Sequence, residues 1–565
     1  MMRTRGLRIA NVAPGAAARE GGTRMNGKTL SEWAGAVLCA GFDGEQMDGH
    51  AEHLIDRLRV QNVILFGRNI ASFAQVRALT KQLQAFAQES GHDLPLLICA
   101  DQENGIVRRF ADDVPGLPGN MALGATGDAE LAQASGLITG RLLRAAGIQM
   151  DLAPVLDVNN NPDNPVIGVR SFGEDPDAVA TLGVAFARGL EQAGVIACGK
   201  HFPGHGDTVS DSHLSLPLIA HGVERLQAVE LAPFRAAIAA GIEAIMTAHV
   251  VFPAVAGNTD PATLSEAVLT ELLRTRLAFP GVIMTDCLEM RAISDTVGVG
   301  RGAVLALRAG ADLVLVSHQL ERQEEALSAI VAAVESGELP FERLREAAER
   351  VWALKRRRLQ EPPQETSQDD VDRIVAQAGQ LQRQIAARAV TVLRNDQGAL
   401  PIGNWEIPPQ RIVLLRDQIH PQMMAAGASA RTEVLQDELM RVLPDAMVKL
   451  YEIDVKGYGV DAAIAASQAA DLVVVSVNGL GNPRFLQVIR DITAAVRRPI
   501  AVIAVRSPYD LREPLFQDMP TQLATYEETP WMLRAAVHAI VYGGADGHIP
   551  ISISSRLPRG SGQRL

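Results

Sequence analysis

The chain is poor in cysteine and in aromatic residues, with 4 Cys in 565 positions and 4% Phe, Trp and Tyr together. Cys39, Cys99, Cys198 and Cys287 each lie in an apolar strand-like run, with no CxxC spacing. That pattern argues for reduced core thiols and against a disulfide framework or a thiolate metal site. No stretch approaches 18 uninterrupted apolar residues, and the opening MMRTRGLRIANVAPGAAAREGG lacks the continuous apolar core of a secretory signal. The expectation is a cytoplasmic protein with no membrane partner, preceded by a poorly structured lead-in over residues 1–27. A dense Lys/Arg stripe is lacking too. The formal net charge is −12, and the short run Lys355 to Arg358 reads as the solvated end of a helix. Nucleic acid is therefore not an expected partner. Neither GxGxxG nor GxxxxGK[ST] follows a strand-like run, so no nucleotide cofactor is expected.

What is present is a regular alternation. A chain of 565 residues, 47% hydrophobic, exceeds what one core usually supports, and two domains are the natural expectation. From about residue 30 to 358, eight short apolar runs alternate with longer amphipathic stretches such as 72–88 and 178–193. This is the signature of βα units, and eight of them predict a TIM-type (β/α)8 barrel over residues 28–359. The predicted strands end at Phe42, Arg68, Asp101, Asp157 and His201, just past His249, at the end of GVIMTDC, which carries Asp286, and at His318. Active sites of such barrels form at these C-terminal strand ends, so Arg68, Asp101, Asp157, Lys200, His201, His249, Asp286 and His318 are the first candidates. A polar, Pro-containing stretch, 360–380, reads as a linker. Residues 381–565 then predict a doubly wound α/β sandwich domain with strands RIVLLRD, VKLYEID, ADLVVVSV, PIAVIAVRS and HAIVYGG.

The segment 198–213, CGKHFPGHGDTVSDSH, concentrates three of the chain's 12 histidines. His201 and His205 have the i, i+4 spacing of a helical zinc site, but Pro203 and Gly204 between them prevent a helix, so no metal is expected. Gly and Pro instead allow close approach to a ligand. Asp211 and His213 are two apart, and a carboxylate holding an imidazole suits general acid/base work near neutral pH. Taken alone, such a pair is also an ordinary polar surface pattern. Asp286, in MTDCLEM, sits where a carboxylate could attack an electrophilic carbon, or merely cap the next helix; Glu289 is the weaker competitor.

These segments, taken in order, carry a resemblance. DQENGIVRRF (101–110), APVLDV (153–158), NPVIGVRSFGEDP (164–176), KHFPGHGDT with DSH (200–213) and MTDCLEM (284–290) resemble the signature segments of glycoside hydrolase family 3, in its bacterial β-N-acetylglucosaminidase branch. TVLRNDQGALPI (391–402) and GHIPISI (547–553) are similar to that family's C-terminal domain. The resemblance implies a retaining exo-glycosidase with Asp286 as nucleophile and His213, paired with Asp211, as acid/base. It further implies that Asp101, Arg170, Lys200 and His201 bind the terminal sugar of a small N-acetylglucosamine-containing glycoside or muropeptide, in cell-wall fragment recycling and without a cofactor. A phosphorylase using phosphate in place of water, a β-glucosidase-type enzyme and an inactive sugar-binding protein are the alternatives. Two departures stand out: Asn104 where DQEGG is usual, and Cys287 after the nucleophile, which strand alternation would turn away from the sugar. His205 and Asp207 receive no role beyond shaping the loop.

Overall fold

The computed structural model describes residues 24–209, 216–359, 366–417, 433–454, 456–457 and 459–565. The eight apolar runs pair in chain order, all parallel, into a closed barrel: β1 (Leu38–Ala40), β2 (Asn62–Leu65), β3 (Leu97–Ala100), β4 (Met150–Asp151), β5 (Ile196–Phe202), β6 (Ala244–Thr247), β7 (Val282–Cys287) and β8 (Leu313–Val316). Closure runs through Val314 of β8, in register with Leu38 of β1. Alternate side chains fill the barrel: Ile64, Leu97, Cys99, Met150, Ile196, Cys198, Met246, Met284 and Leu315 form one buried cluster. All four cysteines are buried free thiols.

The surrounding helices follow from the spacing of their apolar residues. In Phe73–Glu89, Ser72 caps the first turn by accepting the Gln75 N–H. Val76, Leu79 and Leu83 then fall on one face and are buried against the barrel. Burying each such side chain contributes about 2 kcal/mol. Among the described residues, no helix is long and apolar enough to cross a membrane.

The second domain is a six-stranded sheet: β9 (Thr391–Asn395), β10 (Arg411–Asp417), β11 (Met447–Ile453), β12 (Leu472–Val477), β13 (Ile500–Ala504) and β14 (Thr521–Ala524). Their spatial order is β9-β14-β13-β12-β10-β11, parallel except for the edge strand β9. One sequence expectation fails here. HAIVYGG is not a strand: its first five residues are the last turns of helix Pro530–Tyr542. Met532, Leu533, Ala536, Val537, Ile540 and Val541 are all buried. A helix apolar on most of its circumference offers no periodicity to distinguish it from a buried strand over seven residues. β9 and β14 take the places in the sheet that this segment was expected to share.

Helix Gln368–Ala389 occupies much of the stretch read as linker. Its Val371, Ala378, Leu381 and Ile385 join the barrel-side core, whereas Ala386 and Ala389 join that of the second domain. Polar contacts also cross between the domains. Glu527 accepts the Gly119 N–H (2.8 Å), Tyr509 Oη accepts from Asn159 Nδ2 (3.2 Å), and Arg512 meets Asp163 (2.7 Å). The loops after β13 and β14 therefore rest on the loops after β4 and β3, beside the mouth of the barrel.

Candidate active site

The C-terminal strand ends bring together a dense set of charges. Lys200, on β5, is 2% exposed and donates to Asp101 Oδ1 (2.7 Å) and meets Glu103 Oε1 (2.7 Å). Arg170, on the turn after β4, grips Glu103 with both edges of its guanidinium: Nε to Oε2 at 2.9 Å and Nη2 to Oε1 at 2.7 Å. Arg109 holds the other oxygen of Asp101 at 3.2 Å. Burial alone would raise both carboxyls, but the cations outweigh it. Lys200 and Arg109 hold Asp101 well below the usual carboxylate range, and Arg170 with Lys200 brings Glu103 down to about 2. For Lys200 and Arg170 the carboxylates likewise overcome burial and raise both pKa values. The cluster is thus ionised throughout, and paired buried charges of this kind are rigid. Asp101 and Arg109 are its more exposed members, while Glu103 lies behind them.

His201 joins the same cluster. Its Nδ1 is 2.6 Å from Asp157 Oδ2 and its Nε2 is 3.4 Å from Arg170 Nη2. With the guanidinium as donor, Nε2 is the acceptor and the ring proton sits on Nδ1, toward Asp157. Asp157 also accepts the N–H of His201 and, at 2.6 Å, of His205. Burial would raise Asp157, and His201 keeps it below its ordinary value. The peptides Lys200–His201 and Phe202–Pro203 are cis.

Asp286 is the partly exposed member of β7, and its Oδ1 accepts the Cys287 N–H at 2.7 Å. Strict alternation breaks at this point. Leu313 pairs with Met284 but Leu315 with Cys287, so β7 carries an extra residue. Cys287 consequently falls in the interior cluster with Met284 instead of being turned to the opposite side. Its thiol lies 2.8 Å from Ser317 Oγ, and burial pushes its pKa up to about 12. His249 supports the same turn: Nε2 reaches the Cys287 carbonyl at 2.9 Å, and Nδ1 is 2.8 Å from Thr263 Oγ1. Glu289 is a structural group. Its carboxylate accepts the N–H groups of Ser317, His318 and Gln319. Arg68 and His318 meet each other at the rim, 3.0 Å apart.

The structure therefore brings Asp101, Arg170, Lys200, His201 and Asp286 to one barrel mouth. Asp211 and His213 lie outside the described residues. Glu103 and Asp157 tie the cluster together; Asp157 is one of the strand-end candidates, with no particular role given to it, whereas Glu103 is signalled in the sequence only by its position inside DQENG. The three-histidine segment separates: His201 turns to Asp157, while His205 turns to Thr208 Oγ1 (2.8 Å). Burial holds the His205 pKa down, at about 4. Asp207 pairs instead with His221. Asn104 has φ 71°, the left-handed region that glycine favours and asparagine tolerates, and its Nδ2 donates to Thr139 at 2.9 Å. The replacement thus keeps the turn and adds a buried hydrogen bond.

Residues 28–354 match the model of the Glycosyl hydrolase family 3 N terminal domain. Over 373 residues the chain is 36% identical to Beta-hexosaminidase A of Pseudoalteromonas piscicida, covering 62% of each protein. It is 40% identical over 273 residues to a Beta-hexosaminidase of Neisseria meningitidis serogroup C, covering 47% of this chain and 73% of that one. A glycoside hydrolase family 3 β-N-acetylglucosaminidase from Paenibacillus superposes with a TM-score of 0.85 at 40% identity, covering 93% of this chain and 99% of the other. With its barrel, its second sheet and more than half its length matched, the chain belongs to glycosyl hydrolase family 3.

Proposed function

We propose that the chain is a retaining exo-glycosidase that hydrolyses terminal β-linked N-acetylglucosamine from small glycosides. The observation that carries this reading is the convergence of an accessible Asp286 with a fully ionised Asp101–Lys200–Glu103–Arg170 cluster at one barrel mouth. The names of the similar proteins, Beta-hexosaminidase and β-N-acetylglucosaminidase, support the sugar class.

Asp101, ionised and braced by two cations, accepts hydrogen bonds from sugar hydroxyls, while Arg170, Lys200 and His201 orient the ring and its N-acetyl group. Asp286 attacks the anomeric carbon to give a glycosyl-enzyme. His213, oriented by Asp211, protonates the departing oxygen in that step and takes a proton from water in the next. Glu103 and Asp157 act through their neighbours, fixing Arg170, Lys200 and His201 before substrate arrives.

Trapping with a slow fluorosugar of the N-acetylglucosamine type, followed by peptide mapping, tests the assignment; label on any residue but Asp286 refutes it. Asp286→Asn abolishes turnover with the fold intact by circular dichroism. His213→Ala harms substrates with poor leaving groups far more than nitrophenyl glycosides, and equal losses would rule out its acid role. A preference for the nitrophenyl glucoside over the N-acetylglucosaminide would overturn the substrate class.

A further inference from the structure

The loop that leaves β5 brings together three residues with no part in the sugar cluster. His221 Nε2 and Asp207 Oδ2 are 2.5 Å apart. Glu230 approaches them from between helices Val223–Ala228 and Ala232–Ala239. One ring nitrogen and one oxygen from each carboxylate lie within 4.8 Å of one another.

Glu230 makes this more than a surface ion pair. It is 2% exposed, and its Oε2 has no hydrogen-bond partner among the described residues. Its Oε1 has two long contacts of 3.4 Å, to Asn160 Nδ2 and Arg225 Nη2. A buried carboxylate oxygen without a donor costs free energy that a ligand would restore. The loop also pins the side chain in place. Gly204 has φ 139°, and a Cβ there would stand 2.9 Å from the Glu230 Cβ, so only glycine lets the loop backbone lie on this residue.

We propose that Asp207, His221 and Glu230 form a binding site for a divalent transition-metal ion, with Zn²⁺ the best-matched ion. One imidazole and two carboxylates are the donor set that such ions accept, and the set departs from the sequence expectation of no metal. Tetrahedral zinc with bonds of about 2.1 Å sets its ligand atoms roughly 3.4 Å apart. Rotation of the partly exposed Asp207 and His221 side chains would open their 2.5 Å contact and bring both donors toward Glu230. The ion displaces the proton held between them. A second cluster, Cys287, Glu289 and His318, has comparable spacing, but there Glu289 is already committed to three backbone N–H groups.

Titration of the chelator-stripped full chain with zinc chloride, followed by calorimetry and by thermal shift, tests the site. The expected result is one saturable zinc per chain, with affinity reduced more than about tenfold in His221→Ala and in Glu230→Gln. His318→Ala leaves binding unchanged. Asp207→Asn, at a partly exposed position, decides the matter if Glu230→Gln does not fold. Absence of saturable binding, binding retained by His221→Ala and Asp207→Asn, or binding lost in His318→Ala would each overturn the proposal.

Discussion

Replacing Glu103 by glutamine tests whether the ionised cluster is a source of stability as well as of order. Glu103 lies 67 positions from Arg170, which it binds through two hydrogen bonds, and it shares Lys200 with Asp101. A carboxyl that titrates near 4.5 in the unfolded chain and at about 2 in the fold contributes about 3 kcal/mol near pH 7. Removing one partner of a buried ion pair costs about 3–5 kcal/mol on general grounds, so the two routes agree. The sign follows from the depressed folded-state pKa. The contribution is nearly complete above about pH 5 and is lost as pH falls toward 2, with roughly three-fifths gone at pH 3. Urea denaturation of wild type and Glu103→Gln from pH 7 to pH 3 measures the gap at each pH. A double variant with Lys200→Met is expected to lose less than the sum of the single losses, because the two residues share partners. Equal stability at pH 7, or a gap that does not narrow on acidification, would refute the reasoning.

Two further outcomes follow from other buried groups. Lys355, in helix Phe341–Arg358, donates to the Gln61 carbonyl at 3.1 Å, and burial lowers its pKa to about 7 from 10.5. A cation depressed in the fold is a cost at low pH that is relieved between about pH 7 and 10.5. Lys355→Met is therefore expected to raise the melting temperature at pH 6, with the gain shrinking by pH 10 in calorimetric scans. At Asn104, valine must adopt φ 71° and abandons the bond to Thr139, costing about 1–3 kcal/mol. Glycine keeps the turn and loses only the bond, so a glycine variant is expected to be the more stable of the two in the same denaturation assay.

The sequence by itself determined the architecture. Eight parallel barrel strands, buried on both faces, are near-continuous apolar runs, and the helices between them show a 3.6-residue pattern; both are local signals. Four of the five strands expected in the second domain are legible for the same reason. HAIVYGG is not, because a helix buried on most sides loses its periodicity, and β9 and β14 are recovered only by their pairing in the sheet. Residue types at strand ends pointed to Asp101, Lys200, His201 and Asp286 because a barrel gathers those ends on one face. The partners of those residues were decided by tertiary structure alone. Lys200 is 99 positions from Asp101, His201 44 from Asp157, and Arg170 67 from Glu103, and no local pattern records which carboxylate meets which cation. Likewise the bulge that re-aims Cys287 is a matter of register with β8, and the meeting of Asp207, His221 and Glu230 depends on a glycine turn laid across a helix junction. Short-range periodicity fixes which segments form the core; contacts between residues far apart in the chain fix which charges are neutralised, and so what the site can hold.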